Sequence, residues 1–312
     1  MIKYLAKRIA LLITTFIFIL SLVYLLLSVS NYETWYRGFT FWEYLEFAWE
    51  DYMQYGKGIL TKWDFGIYSA QKPVLTHVLE EIPTTLRMNL YALFFYVPLG
   101  LFFGILSARY HGTLFDKIIG VVTLVLGSVP GYITMLFLML YFGYQLGWFP
   151  GRFDYYADDP FEIFMTISMP VLALSLGPIS RITRILRGDL VEEMGSQYVE
   201  LVRTKGFNQT QVLLRHALRN SVLPIITEIP RIFSMVLSMS FIIEITYNLR
   251  GAAFLFYESI ITPSIDGSFL DVNVEAAYVI CAFYIGLVMI MALLSDLSYA
   301  LIDPRIKMGS KK

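Results

Sequence analysis

The chain has 312 residues, 57% hydrophobic and 16% charged, with a mean hydropathy of +0.60 and a formal net charge of −1. A soluble domain carries about 25% charged residues, so the composition excludes an ordinary globular domain and points to an integral membrane protein. The balanced charge gives no footing for nucleic acid, and the single Cys281, in an apolar run, excludes an internal disulfide and leaves its thiol a packing role.

A helix needs roughly 20 apolar residues to cross about 30 Å of hydrocarbon. Ile9–Ser30 carries no charge, and Lys3, Lys7 and Arg8 precede it. That run exceeds the 7–15 residues of a signal-peptide core, and no small-x-small cleavage site follows, so it reads as an uncleaved first span. Uncharged runs recur at Met88–Ala108, Ile118–Gly151, Ile163–Ser180 and Ala276–Ser295. Ser221–Asn248 is less clean, because Glu228, Arg231 and Glu244 interrupt it. The expected architecture is an all-α integral membrane protein of one domain, residues 1–312. Its six spans fall at about 9–30, 88–108, 118–144, 163–180, 223–247 and 276–297, with an outer loop at 31–87 and a loop at 181–222 on the inner side.

Orientation follows from the lysines and arginines. With the N-terminus inside, segments 1–8, 109–117, 181–219 and 303–312 hold 16 of them, and the outer segments 31–87, 152–162 and 250–275 hold 7. Acidic residues show the reverse bias, with Asp154, Asp158, Asp159 and Glu162 in one outer loop and Asp266, Asp271 and Glu275 in another. Both termini are therefore expected in the cytoplasm.

The outer loop contains "TFWEYLEFAWEDYM", where Thr40 and Glu43 have the spacing of a capping box. Trp42, Leu45, Trp49 and Tyr52 then share one helical face, as in a helix lying in the membrane interface or docking a soluble partner. Pro73 and Pro83 each suit the first turn of a short helix. In the third span "GSVPGY" (127–132) predicts a break, since sharp kinks occur at proline.

Arg181, Arg184 and Arg187 follow the fourth span at three-residue spacing and form one basic face toward anionic headgroups. A second helical segment is expected over about Gly188–Lys205, ended by Gly206 as a left-handed stop. Asn208 with Gln211 then caps a third, which ends before Pro224. Two short helices meeting at a glycine make a blunt knob on the cytoplasmic side, and rigid helices can transmit force from a partner.

At this element "YVELVRTKGFNQTQVLLRHALRNSVLPIIT" (198–227) resembles the cytoplasmic coupling motif, the EAA loop, of ATP-binding-cassette importer permeases. More narrowly, it is similar to the B-type permease of the dipeptide, oligopeptide and nickel importer family. Glu200, Leu201 and Val202 stand at the motif's glutamate and two small residues, Gly206 at its glycine, and Arg215 to Asn220 with Pro224 match "RHALRN…P". Two further blocks are in step. One is "WDFGIYSAQKPVLTHVLEEIPTTLRMNL" (63–90), with Tyr68 where serine is usual; the other is "DLSYALIDPRI" (296–306).

The resemblance implies a type I ABC importer permease fold with a cytoplasmic coupling helix, in a bacterial inner membrane. It implies a second homologous permease, two cytoplasmic ATPase subunits that hold ATP and Mg, an extracytoplasmic binding protein and the surrounding lipid. This chain would bind no cofactor. ATPase coupling would fall to Glu200, Arg203, Lys205, Gly206, Leu214, Arg215 and His216. The expected cargo is a short peptide; a nickel chelate is the alternative within the family, and a secondary transporter the alternative from another class.

The chain has no G-x-x-x-x-G-K-[ST] phosphate loop, no H-E-x-x-H pair among His77, His111 and His216, and no G-x-S-x-G elbow. An enzyme is not expected, nor a metal site. Ser128, Pro130, Glu228 and Arg231 are candidates for the translocation pathway, because polar or irregular positions at membrane depth recur along such pathways. Glu228 and Arg231 also have the spacing of a local i,i+3 ion pair.

Overall fold

A chain that leaves water for lipid must pair its backbone polar groups within itself, and helices do so segment by segment. The computed structural model describes residues 2–29, 40–68, 72–154, 159–263 and 270–302. Its helices are α1 (Ile2–Val29), α2 (Phe41–Lys62), α3 (Val74–Arg109), α4 (Leu114–Ser128), α5 (Gly131–Leu138), α6 (Pro160–Met194), α7 (Gln197–Thr204), α8 (Gln209–Gln211), α9 (Leu218–Ser221), α10 (Leu223–Thr246), α11 (Ala252–Ile261) and α12 (Val274–Ile302). Met139–Gln145 continues α5, and Val212–Ala217 joins α8 to α9, both as π-helical turns. β1 (Thr262–Pro263) and β2 (Leu270–Asp271) pair antiparallel.

Among the described residues, α1, α3, α6, α10 and α12 are each long and apolar enough to cross a membrane. α4 and α5 make a sixth crossing only as a pair, bent by 97° at Val129–Pro130. The break expected at "GSVPGY" is there, and the third span is accordingly two helices rather than one. The acidic residues Asp158 and Asp266 and the basic C-terminal segment 303–312 lie outside the described residues.

Two expected boundaries move. α3 begins at Val74, so Pro83 sits in a helix interior, where its ring gives no N–H to the Leu79 carbonyl. α6 does not give way to a new segment near Gly188 but runs through it to Met194, so that break falls at Gly195–Ser196. The α2 helix runs to Lys62; Tyr44 and Ala48 are buried, Tyr52 and Tyr55 pack against the core, and Trp42 and Trp49 of the aromatic face are exposed. Its capping box is present, with the Thr40 hydroxyl donating to Glu43 at 2.7 Å. That bond holds the Glu43 carboxyl below the usual carboxylate range.

The described residues fall into two compact units, one drawn from 1–86 and 248–290, the other from 87–247 and 291–306. In the first, Leu20, Tyr24, Val74, Val78, Leu255 and Ile280 belong to one apolar core. Gly66 takes φ +85°, and a Cβ there would meet the Glu275 carboxylate at 1.6 Å. That carboxylate accepts the Ile67 N–H at 3.1 Å, while Asn273 donates to the Tyr68 carbonyl at 3.2 Å. The "WDFGIY" stretch is thereby fastened to the start of α12.

In the second unit α6 is the central element. α3 approaches it at Gly100 and Gly104, where an added Cβ would meet the Ile182 and Leu186 Cβ atoms at 2.7 and 2.9 Å. Small residues four apart permit this close helix contact. Thr183 donates to the Gly100 carbonyl at 3.2 Å, and Ser180 to the Thr123 carbonyl of α4. α10 packs on α6 and α5 through a buried stripe that includes Ile232, Val236, Leu237 and Ile243.

Candidate functional site

The knob is built at the end of α6. The helix closes on Gly195, whose N–H reaches the Glu192 carbonyl at 3.0 Å, and the Ser196 hydroxyl donates to the Glu193 carbonyl at 2.7 Å. α7 then runs eight residues, burying Val199 and leaving Glu200 and Leu201 exposed. Gly206 takes φ +84°, the left-handed region a side chain avoids, and turns the chain back. The Asn208–Gln211 capping box forms in both directions, at 2.8 and 3.2 Å, and starts the returning helix.

That helix turns Val212, Leu213 and Ala217 inward and Leu214 and Arg215 outward. A π-helical turn such as Val212–Ala217 is rare in folded chains and is found often at functional sites. Among the expected coupling residues, Glu200, Arg203, Lys205, Gly206, Leu214 and Arg215 are exposed on the knob. His216 is half-buried, its ring 5.4 Å from that of Phe207. Arg203 reaches back, donating to the Met194 carbonyl at 3.2 Å.

The brace beneath the knob has no signature in the sequence. Tyr198 donates to the His216 carbonyl at 3.3 Å, and Asn220 donates to Glu193 at 2.7 Å and to the Tyr198 oxygen at 3.3 Å. Burial, with the Glu193 carboxylate next to it, pushes the Tyr198 phenol up to about 12. α6, α7 and α9 are thus tied by three side chains spread over 28 positions of sequence.

A second polar cluster lies where α3, α4 and α6 meet. Asp116 is buried and accepts from Arg187 at 2.6 and 2.7 Å, from Ser107 at 2.5 Å and from the Gly112 N–H at 3.0 Å. His111 stands 3.4 Å from the same carboxylate. Of the three arginines read as one basic face, Arg187 serves Asp116 and Arg181 serves Glu228 at 3.1 Å; Arg184 has neither partner.

The pathway candidates separate into two places. Ser128 and Pro130 line a cavity of about 170 Å³ at the α4–α5 break, with Gly131, Gly177 and Met239 around it. The Ser128 hydroxyl is engaged by the Leu124 carbonyl at 2.7 Å. Glu228 and Arg231 form their i,i+3 pair at the start of α10, outside that cavity's lining. Among the described residues, no group of three His, Cys, Asp or Glu side chains could hold a metal ion.

The family described as "Binding-protein-dependent transport system inner membrane component" matches residues 100–308. The chain is 29% identical to the dipeptide transport system permease protein DppB of Lactococcus lactis subsp. cremoris, over 99% of this chain and 100% of that one. It is 30% identical to the DppB of Bacillus subtilis, over 83% of this chain and 80% of that one. Among solved structures, an inward-facing form of the MetNI methionine ABC transporter matches with TM-score 0.57 and 14% identity. That match covers 73% of this chain and 97% of that one. At such identity it speaks for the fold, and the fold is the type I importer permease expected from the sequence.

Proposed function

Because the chain belongs to the family of binding-protein-dependent transport system inner membrane components, we propose that residues 196–222 dock it to a cytoplasmic ATPase and that its cargo is a short peptide. The chain is a non-catalytic permease subunit of an ABC importer, a multi-pass component of the inner membrane. Nucleotide chemistry then belongs to other polypeptides, with ATP and Mg held there. Two ATPase subunits, a second permease and an extracytoplasmic binding protein complete the proposed assembly. Both termini lie in the cytoplasm by the basic-residue asymmetry.

One observation carries the docking assignment. The knob presents Glu200, Leu201, Leu214 and Arg215 to solvent from two short helices held at a fixed angle by Gly206 at φ +84°. Exposed leucines rimmed by charge suit a protein groove better than a headgroup layer, and the Tyr198–Glu193–Asn220 brace makes the element stiff enough to push on α6. The peptide reading draws on relatives named for dipeptide transport.

Glu200→Arg tests the docking. A misplaced charge at an interface costs several kcal/mol, so insertion should be normal while ATPase copurification and substrate-stimulated hydrolysis collapse. Full transport with unchanged copurification would remove Glu200 from the interface. For cargo, uptake of a labelled dipeptide should depend on this chain; dependent uptake of radionickel instead would select the chelate.

A further inference from the structure

We propose that the cleft between α3, α4 and α6 binds the phosphate headgroup of an anionic phospholipid. The cleft encloses about 380 Å³ and is lined by Ser107, Asp116, Lys117, Gly120, Arg184 and Arg187, among others. That is many times the ~10–15 Å³ of such space that one water needs. The site needs α4 and α6 to cross the membrane, and it stands whether or not the knob docks an ATPase.

The charges decide what the cleft wants. Asp116 is the carboxylate in its lining, and Arg187, Ser107 and the Gly112 N–H engage it fully. Arg187 is neutralised by the same bonds. Lys117 and Arg184 remain, both exposed, and among the described residues neither is joined to a carboxylate. Lys117 moreover sits in the first turn of α4, against the positive end of the helix dipole, where a cation is disfavoured and an anion welcome. The Thr123 and Thr183 hydroxyls donate to the Ile119 and Gly100 carbonyls, so the donors left for an anion are the ammonium of Lys117 and the guanidinium of Arg184.

The face of α4 beyond Lys117 makes the anion a lipid. Ile118, Val121, Val122 and Val125 are 51%, 62%, 48% and 57% exposed, an apolar stripe that starts one residue after Lys117. A free phosphate has no use for that stripe; acyl chains do. A cationic cleft at the end of an exposed apolar helix face is complementary to an amphiphile with a negative head, and such heads attract basic side chains at the membrane boundary.

The test uses the assembled full-length transporter in neutral detergent, read by native mass spectrometry. Phosphatidylglycerol should remain on the wild type at concentrations where phosphatidylcholine is lost. Each basic residue near an anionic lipid contributes about a factor of five, so Lys117→Gln with Arg184→Gln should weaken retention roughly 25-fold. Gly120→Leu keeps both cations, but its Cβ has nothing within 4 Å and its side chain fills the cleft, so it should also expel the lipid. Arg184→Lys, which preserves the charge, should retain most of it. Equal retention in the wild type, the double variant and Gly120→Leu would overturn the site. Displacement by millimolar inorganic phosphate would reassign it to a soluble anion, and retention by the isolated chain but not the assembled transporter would mean that the second permease covers it.

Discussion

Asp116 and Glu228 are both carboxylates with more than one cationic or polar partner, yet they do different work. The Asp116 side chain is 3% exposed and accepts from a guanidinium fork, a hydroxyl and a backbone N–H. Glu228 is 19% exposed, and its partners Arg181 and Arg231 are 44% and 65% exposed. A charge so little exposed depends heavily on its partners, because little water reaches it to replace a lost one. A charge at the edge of solvent can trade a partner for water. Asp116 therefore fixes the start of α4 against α6, and Glu228 leaves α6 and α10 joined by a contact that is easy to remake.

The comparison can be broken at its strong end first. Arg187→Ala strands a buried carboxylate and should cost about 3–5 kcal/mol, read as a large fall in the thermal unfolding midpoint of the purified protein. Asp116→Leu combined with Arg187→Met should recover most of that loss, since a packed apolar pair can replace a buried ion pair. Failure of the recovery would mean that the charges are needed for more than stability. Ser107→Ala removes one hydrogen bond to the ionised Asp116 and should cost about 1.5–3 kcal/mol in the same measurement. Glu228→Gln comes last, at no more than about 1 kcal/mol. A loss there as large as that of Arg187→Ala would erase the distinction between the two clusters.

Legibility followed the range of the interaction. The Thr40 and Asn208 caps and the Gly206 turn are set by residues three or four apart, and each formed where the spacing placed it. The Glu228–Arg231 pair is local in the same sense. Asp116 and Arg187 are 71 residues apart and Tyr198 lies 22 from Asn220, so neither partnership has a sequence signal. Arg181, Arg184 and Arg187 share one helix, as their spacing predicts, but Gly188 does not mark its end and α6 continues to Met194. On α2 periodicity marked the aromatic face that stays exposed at Trp42 and Trp49, and only packing shows that Tyr44 and Ala48 face inward. Helical spacing alone did not show that Leu214 is exposed or that His216 is half-buried with its ring toward Phe207.

The length of α6 has a mechanical consequence. Thirty-five helical residues without an interruption span about 52 Å at 1.5 Å per residue, well beyond the ~30 Å of hydrocarbon. Under the proposed docking the helix would act as a lever, with the knob as its handle. Pro170 and Pro178 lie inside it and each removes one backbone hydrogen bond; Pro178, the nearer to the knob, is taken as the pivot. From there to Met194 the arm is about 24 Å. A tilt of roughly 10° at that point would carry the handle sideways by about 4 Å on that arm, while the α3 contact at Ile182, only four residues past the pivot, would shift by about 1 Å.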